Sequence, residues 1–260
     1  MAVKVGIIGC KGFVGSAFLE VFSNGGGYAV TGIDKDNCEA LKGTRFDILV
    51  NCNGNSSKRL ADSEPKLDWE MNVGSTRRFL QYFPCSHYIH ISTVEVYNDK
   101  SDPQKCREDS GIDPSALSNY GKSKYAGEQI ARSHPSFLIL RLAGMVGKGM
   151  KKGPAYDILE MHKLFLSEKS ELHFMGTPEV ARIAKLLAER GKWGETYNVV
   201  GKGSVKLSGF ASIAGSKLSG AGKEEQVFRI PTAKIEGEAA ISTSEDALRG
   251  FVEEWKKGKR

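Results

Sequence analysis

The chain has 260 residues, 40% of them apolar and 26% charged, with a formal net charge of +6 at pH 7. That composition is too apolar for a disordered chain, and no run approaches the roughly 18 consecutive apolar residues of a membrane span. The positive excess gathers in Lys148, Lys151 and Lys152 and in the tail Lys256, Lys257, Lys259 and Arg260. The balanced remainder lacks the basic stripe of a nucleic-acid binder, so neither nucleic acid nor membrane is an expected partner.

In chain order, Val3–Ile8 is an apolar run followed by a glycine turn and a helical pattern through Phe13, Phe18, Leu19 and Phe22. Tyr28–Ile33, Phe46–Asn51, His87–Ser92 and Phe137–Arg141 read as further strands. Helical patterns cover Leu67–Phe83 and Asn119–Arg132. Strands alternating with helices predict βαβ units, a parallel sheet and right-handed crossovers. Beyond the glycine- and lysine-rich break at Gly144–Gly153, the pattern predicts a helix over Pro154–Leu166 and a short strand at Glu171–Phe174. Thr177-Pro178-Glu179 opens another helix, with threonine as cap and proline at the first helical position. Tyr197–Val200 is a late strand, Gly201–Gly222 a glycine- and serine-rich stretch, and Ser244–Trp255 an amphipathic helix. The basic tail beyond it reads as a frayed, solvated helix end.

The five cysteines (Cys10, Cys38, Cys52, Cys85, Cys106) are odd in number and form no C-x-x-C pair, which predicts reduced thiols and a cytoplasmic location. The opening MAVKVGIIGC is too short and interrupted an apolar run for a signal peptide. His87, His90, His134, His162 and His173 show no metal-ligand spacing, so no metal site is expected.

Chemistry concentrates in a few places. Gly9, Gly12 and Gly15 form G-x-x-G-x-x-G between a strand and a helix, where glycines permit a tight turn and the close approach of a pyrophosphate to the helix N-terminus. The spacing alone also suits a purely structural turn. Asp34 closes the second strand, 19 residues after Gly15, where a carboxylate accepts hydrogen bonds from an adenosine ribose and repels a 2′-phosphate. Lys35 beside it would compensate such a phosphate, which leaves NADP open beside NAD. Tyr120 has Lys124 four residues on, one helical turn away on the same face. A nearby ammonium lowers a phenol's pKa from its usual value near 10, which makes the tyrosine an acid/base. Ser92 and Thr93 end the fourth strand, and the carboxyl ends of strands are where ligands bind in open α/β sheets.

Taken together the glycine motif, Asp34, the D-x-x-x-N-x-N-G strand end at Asp47–Gly54, Asn72, Ser92-Thr93, Tyr120-x-x-x-Lys124 and Arg141 resemble the extended short-chain dehydrogenase/reductase family, which acts mainly on nucleotide sugars. The resemblance runs over about residues 3–147, and Tyr197–Val200 extends it to about residue 200. It implies a Rossmann-type doubly wound parallel sheet with a small α+β substrate-binding lobe. Residues 1–150 plus 177–200 would form the NAD(P)-binding domain, and 151–176 plus 201–260 the lobe. It also implies an epimerase, dehydratase or decarboxylase using NAD, with a deoxysugar 4-keto reductase or a non-catalytic NAD(P) sensor as alternatives. The S-E-P run at Ser63–Pro65 and the short second crossover resemble the reductase branch.

By that resemblance Thr93 would bond the reacting sugar hydroxyl, Tyr120 would take its proton, and Lys124 would hold the ribose and tune Tyr120. Glu95, two residues after Thr93, would take an acidified C5 proton; a solvent-facing glutamate is the other reading. Gly9, Gly12, Phe13, Val14 and Gly15 would line the pyrophosphate, and Asp34 and Lys35 the ribose. Cys52, Asn53, Gly54, Asn72 and Ser92 would lie along the cofactor, with a structural cap the rival role for Asn72. Lys148, Lys151 and Lys152 would either clamp a diphosphate or remain solvated. A helix-paired homodimer through Leu67–Phe83 and Asn119–Arg132 is the implied assembly. The sequence departs from the family in three places: twelve residues only separate Asp34 from Asp47, Gly144 stands where an asparagine is usual, and Thr177-Pro178-Glu179 replaces an aspartate pair.

Overall fold

The computed structural model describes residues 2–24 and 26–258. Its elements in chain order are β1 (Val3–Ile8), α1 (Phe13–Ser23), β2 (Tyr28–Ile33), β3 (Phe46–Asn51), α2 (Lys58–Ser63), α3 (Pro65–Trp69), α4 (Ser75–Tyr82), β4 (Cys85–Thr93), α5 (Asn119–Arg132), β5 (Phe137–Leu142) and β6 (Gly144–Val146). There follow α6 (Pro154–Leu159), β7 (Glu171–Leu172), β8 (Phe174–Gly176), α7 (Thr177–Glu189), β9 (Glu195–Val199), β10 (Val205–Lys206), α8 (Leu207–Ala214), α9 (Ala233–Glu236) and α10 (Ser244–Gly258). Among the described residues no helix is long and apolar enough to cross a membrane.

Six strands form one sheet in the order β2-β1-β3-β4-β5-β9, as a Rossmann-type α/β fold requires. β1 pairs in parallel with β2 on one side and β3 on the other, from Val5 opposite Ile48 to Ile8 opposite Asn51. β3 continues in parallel register with β4. The strand order therefore reverses at β1, and the crevice outside the carboxyl ends of β1 and β3 is the topological switch point. The central strands are buried on both faces, which is why Val5, Ile7, Ile8, Leu49, Val50, Ile89 and Leu140 read as near-continuous apolar runs.

The short link between β2 and β3 is a series of turns rather than a helix. It still covers the sheet: Cys38 and Leu41 pack on a core cluster of Ile8, Ile33, Phe46, Leu49, Phe83, Tyr88, Ala131 and Ile139. Between α3 and α4 the helix widens into a π-turn over Glu70–Gly74. Ser75 Oγ donates back to Met71 O at 2.5 Å and Thr76 Oγ1 to Asn72 O at 2.7 Å, bonds that compete with regular helical geometry. The continuous helix expected over Leu67–Phe83 is thus two helices joined by a bulge, a form frequent at functional sites.

By contact density the chain divides into two units, one of Met1–Asn98, Gly111–Arg141 and Ala181–Tyr197, the other of Asp99–Ser110, Leu142–Val180 and Asn198–Arg260. The second contains two small sheets: β6 pairs in parallel with β8, and β10 antiparallel with β7. Buried His173 holds it internally, Nδ1 donating to Gly201 O at 2.8 Å while Nε2 accepts from Ile230 N at 3.1 Å. The helix expected over Pro154–Leu166 stops at Leu159. Met161 turns into the left-handed region (φ 54°), after which Leu164 N bonds Gly220 O and Gly222 N bonds Leu166 O. The stretch Gly201–Gly222 contains the helix α8, whose Leu207, Phe210, Ala211 and Ala214 are buried at helical spacing. Lys256 and Lys257 lie exposed in the last turn of α10; Lys259 and Arg260 fall outside the described residues.

Candidate active site

The glycine loop follows directly from β1. Gly9 adopts φ 76°, and its backbone passes so close to Cys52 and Asn53 that a Cβ would lie 3.1 Å from Cys52 C and Asn53 N. A Cβ on Gly15 would strike Gly9 O, so α1 begins hard against the end of β1. Gly12 is the N-cap of α1 and offers no side chain to the first turn, whose N–H groups carry the positive end of the helix dipole. Phe13 and Val14 occupy that turn and are half-buried.

Asp34, at the end of β2, is engaged on both carboxylate oxygens. Oδ2 meets Lys11 Nζ at 2.6 Å and Oδ1 accepts from Asp36 N at 2.7 Å. Lys11 also reaches Asp36 Oδ2 at 2.8 Å. The Lys11 ammonium and the Asp36 N–H hold the Asp34 carboxyl below its ordinary range. The cation beside Asp34 is therefore Lys11, from within the glycine loop, while Lys35 is exposed.

Past β3 the chain turns through Cys52, Asn53 and Gly54. The side chain of Asn53 donates to Ser75 Oγ at 3.1 Å, and burial pushes the Cys52 thiol well up. Asn72, 3% exposed in the π-turn, donates to Asp68 Oδ1 at 2.8 Å and Ser123 Oγ at 3.0 Å. Its Oδ1 has no protein partner and faces Gly54. Asp68 further accepts from Asn55 Nδ2 at 2.7 Å and from Ser123 Oγ at 2.5 Å.

The remaining groups come from the end of β4 and one face of α5. Thr93 Oγ1 accepts from Glu95 N at 3.3 Å, and the Thr93 side chain lies beside the Tyr120 phenol, which it draws downward. Ser118 caps α5 by accepting from Gly121 N at 3.1 Å, which sets where Tyr120 enters the helix. Tyr120, Lys124 and Glu128 follow at steps of four, and all three are buried. Lys124 Nζ donates to Ile91 O at 2.9 Å. Burial lowers the Lys124 ammonium to about 8, against the pull of the Glu128, Asp68 and Cys52 groups, which raise it. Glu128 takes both Arg141 Nε at 3.0 Å and Arg141 Nη2 at 2.7 Å, while Arg141 Nη1 donates to Tyr97 OH at 2.9 Å. Ser92 Oγ donates to Glu128 Oε1 at 2.5 Å, so its hydroxyl is committed to this pair.

Burial pushes the Tyr120 phenol above its usual range; the Glu95 and Asp68 carboxylates add to the rise and the Thr93 bond opposes it. The lowering expected from Lys124 is not found in the chain itself. The desolvation of a phenol enclosed by protein outweighs an ammonium one turn away that is spent on a carbonyl.

Thr93, Glu95, Tyr120 and Lys124 are thus brought together. Glu95 is not solvent-facing: its side chain is 12% exposed and meets Lys58 Nζ at 2.5 Å. Lys11, Lys58, Asp68 and Ser123 were not singled out from sequence. Asp68 carried a local signal, being polar and four residues before Asn72 in a helical pattern, but the partners of Lys11 and Lys58 are distant in the chain.

The groups present fit a dinucleotide. The glycine cradle has no room for a Cβ, the first turn of α1 has no side-chain cap, and a buried acceptor, Asn72 Oδ1, is unpartnered. The three features border the strand ends where such ligands lie in this fold.

No curated protein matches the sequence. Among solved structures, the chain resembles the UDP-glucuronic acid 4-epimerase from Bacillus cereus in complex with UDP-glucuronic acid and NAD (TM-score 0.81, 19% identity, 98% of this chain and 99% of that one). It also resembles the dTDP-4-dehydrorhamnose reductase from Bacillus anthracis in complex with NADP (TM-score 0.77, 19% identity, 98% and 99%). A third is the dTDP-glucose 4,6-dehydratase from Bacillus anthracis in complex with NAD (TM-score 0.78, 16% identity, 99% and 98%). At such identities the likeness speaks for the fold. The sequence profile of the NAD dependent epimerase/dehydratase family matches residues 5–199, and the chain belongs to that family.

Proposed function

We propose that this protein converts a nucleotide sugar by reversible oxidation at the sugar C4, as an epimerase or dehydratase, with Tyr120 as the acid/base. The observation that carries the reading is the gathering of three buried side chains, Thr93 at the end of β4 beside the Tyr120 phenol and Lys124 on the next turn of the same helix. When bound, the dinucleotide supplies the hydride acceptor and donor. Thr93 orients the sugar hydroxyl. Tyr120 takes that hydroxyl's proton on oxidation and returns it on reduction. Lys124, held under Ile91 O, presents a positive charge that favours the phenolate as it forms. Gly9, Gly12 and Gly15 admit the pyrophosphate, and Asp34 with Lys11 faces the ribose. Glu95 stands ready to take a C5 proton, its carboxylate steadied by Lys58.

A second reading, a 4-keto reductase of deoxysugar nucleotides, draws on the short β2–β3 link, whose turns replace a strand and helix. Incubation of the protein with NAD and a panel of nucleotide sugars, followed by NMR, distinguishes the two. Without added reductant, retention in the product of the deuterium first placed at the substrate's C4 marks the first reading, back at C4 for an epimerase or moved to another carbon for a dehydratase. Conversion only with external NAD(P)H marks the reductase. Tyr120→Phe is expected to cut turnover by about 10²–10⁴-fold, the usual worth of a positioned acid/base. A fully active Tyr120→Phe protein would overturn the mechanism in either form.

A further inference from the structure

Asp68 and Ser123 belong to a buried polar cluster, with Asn55 and Asn72, and the reaction as described gives neither of the two a part. Asp68 is 1% exposed and accepts three hydrogen bonds, from Asn55 after β3, Asn72 in the π-turn and Ser123 on α5. Ser123 is the residue directly before Lys124. The carboxylate thus fastens the helix segment that carries the lysine to two other chain segments. A buried carboxylate satisfied only by neutral donors is costly without a nearby cation. The Lys124 ammonium, itself buried, feels the Asp68 charge, which raises it.

Resting on the reading of Tyr120 and Lys124 given above, we infer that Asp68 is a positioning residue for Lys124: it seats the lysine through Ser123 and supplies the counter-charge that keeps its amine protonated inside the protein. The groups facing Lys124 are Glu128 from its own helix, Asp68 from α3, Cys52 after β3 and His90 on β4. Glu128 is already shared with Arg141 and Ser92, whereas the donors to Asp68 are all neutral. The charge of Asp68 is therefore the less compensated of the two. Burial already lowers the Lys124 ammonium to about 8, so loss of a counter-charge moves it further toward neutrality. Without Asp68 a large share of the protein would hold a neutral amine at pH 7, and Tyr120 would lose the cation beside it.

Asp68→Asn isolates the charge. The amide keeps the volume and one oxygen for Asn55 and Asn72, and the Ser123 hydroxyl, donor and acceptor alike, turns to receive the new N–H. The titration of Lys124 is read from the Cε shift in 13C-lysine-labelled protein, assigned by its loss in Lys124→Met, with no sugar and no turnover involved. The midpoint is expected to fall by about one pH unit in Asp68→Asn, the lower end of what a close opposite charge supplies. An unmoved midpoint would overturn the inference.

Urea unfolding of Asp68→Asn, Lys124→Met and the double variant gives an independent readout. If the carboxylate serves the lysine, Asp68→Asn destabilises less in the Lys124→Met background than in the native one; a merely structural role gives equal losses. An Asp68→Asn protein that folds only with Lys124→Met supports the inference, and one that folds in neither background refutes it. Absence of turnover on every nucleotide sugar would sink the proposed function while leaving the Lys124 midpoint to decide this role.

Discussion

The Glu128–Arg141 pair is the deepest charged feature of the first unit, and its removal has a calculable cost. Glu128 is 0% exposed and Arg141 1%, joined by two hydrogen bonds at 3.0 and 2.7 Å. In Glu128→Gln the side chain keeps one oxygen, which Ser92 or Arg141 can use, but turns an N–H₂ toward the guanidinium. A donor then faces a donor, and the arginine charge stays buried with Tyr97 OH as its nearest partner. Breaking a buried pair from one side costs about 3–5 kcal/mol, which for a chain of this size lowers Tm by roughly 10 °C. Replacing both residues by methionine removes the charges together, and such exchanges are often close to neutral. Thermal and urea unfolding of the two single methionine variants, Glu128→Gln and the double variant are expected to show strong coupling, the double losing less than half of what either single loses. Single losses below about 1 kcal/mol, or losses that simply add, would refute the reasoning. The pair lies beside the candidate site, because Glu128 shares the face of α5 with Lys124 and Tyr120 and ties that helix to Arg141 on β5.

Gly15→Ala is expected to weaken NAD binding at least tenfold, because its Cβ strikes Gly9 O and drives the first turn of α1 from the end of β1; overpacking of this kind costs about 1–3 kcal/mol. Fluorescence titration checks it, and unchanged affinity would remove the glycine cradle from the site. Acidification should destabilise the protein through its buried histidines. Burial holds His90 well below its ordinary value, as burial also lowers His173. Each depressed group contributes stability that is present above about pH 6.5, its unfolded value, and is lost as pH falls toward the folded one. The unfolding free energy from urea titrations is expected to fall between pH 7 and 5 by up to about 1.4 kcal/mol per pH unit for each histidine, and His90→Leu should flatten the slope. A pH-independent unfolding free energy would contradict the burial of these rings.

Much of the fold is legible because its strands are short apolar runs set between polar and glycine-bearing turns. Val3–Ile8, Tyr28–Ile33 and Phe46–Asn51 are found with those bounds, as is the helix Asn119–Arg132 with its serine cap. The errors have local causes. Periodicity carries Pro154–Leu159 onward to Leu166, but nothing in it reveals that Leu164 and Leu166 find backbone partners at Gly220 and Gly222. The helix at Leu207–Ala214 has an apolar face at i, i+3, i+4 and i+7 that the surrounding glycines and serines obscure. The π-turn at Glu70–Gly74 depends on two hydroxyls bonding backward, a detail finer than hydrophobic pattern.

The site divides along a different line. Gly9–Gly15 is legible because a strand end, a turn and a helix start follow one another within seven residues, and Tyr120–Lys124 because one helical turn sets both on a shared face. The ion pairs Lys11–Asp34 and Lys58–Glu95 and the bond from Ser123 to Asp68 join residues far apart in the chain, and only the packed sheet brings them together. Their consequence is electrostatic. Spacing places Tyr120 and Lys124 side by side but carries no information on depth, and depth decides the sign of the effect. In an exposed helix the lysine would lower the phenol; enclosed as they are, both groups move toward their neutral forms, Tyr120 upward and Lys124 down to about 8. A tyrosine so buried becomes a usable base only if the lysine stays charged against its own desolvation. On the mechanism proposed above, that requirement would shift weight from Tyr120 and Lys124 to Glu128 and Asp68, the carboxylates whose charges raise the Lys124 ammonium against its burial.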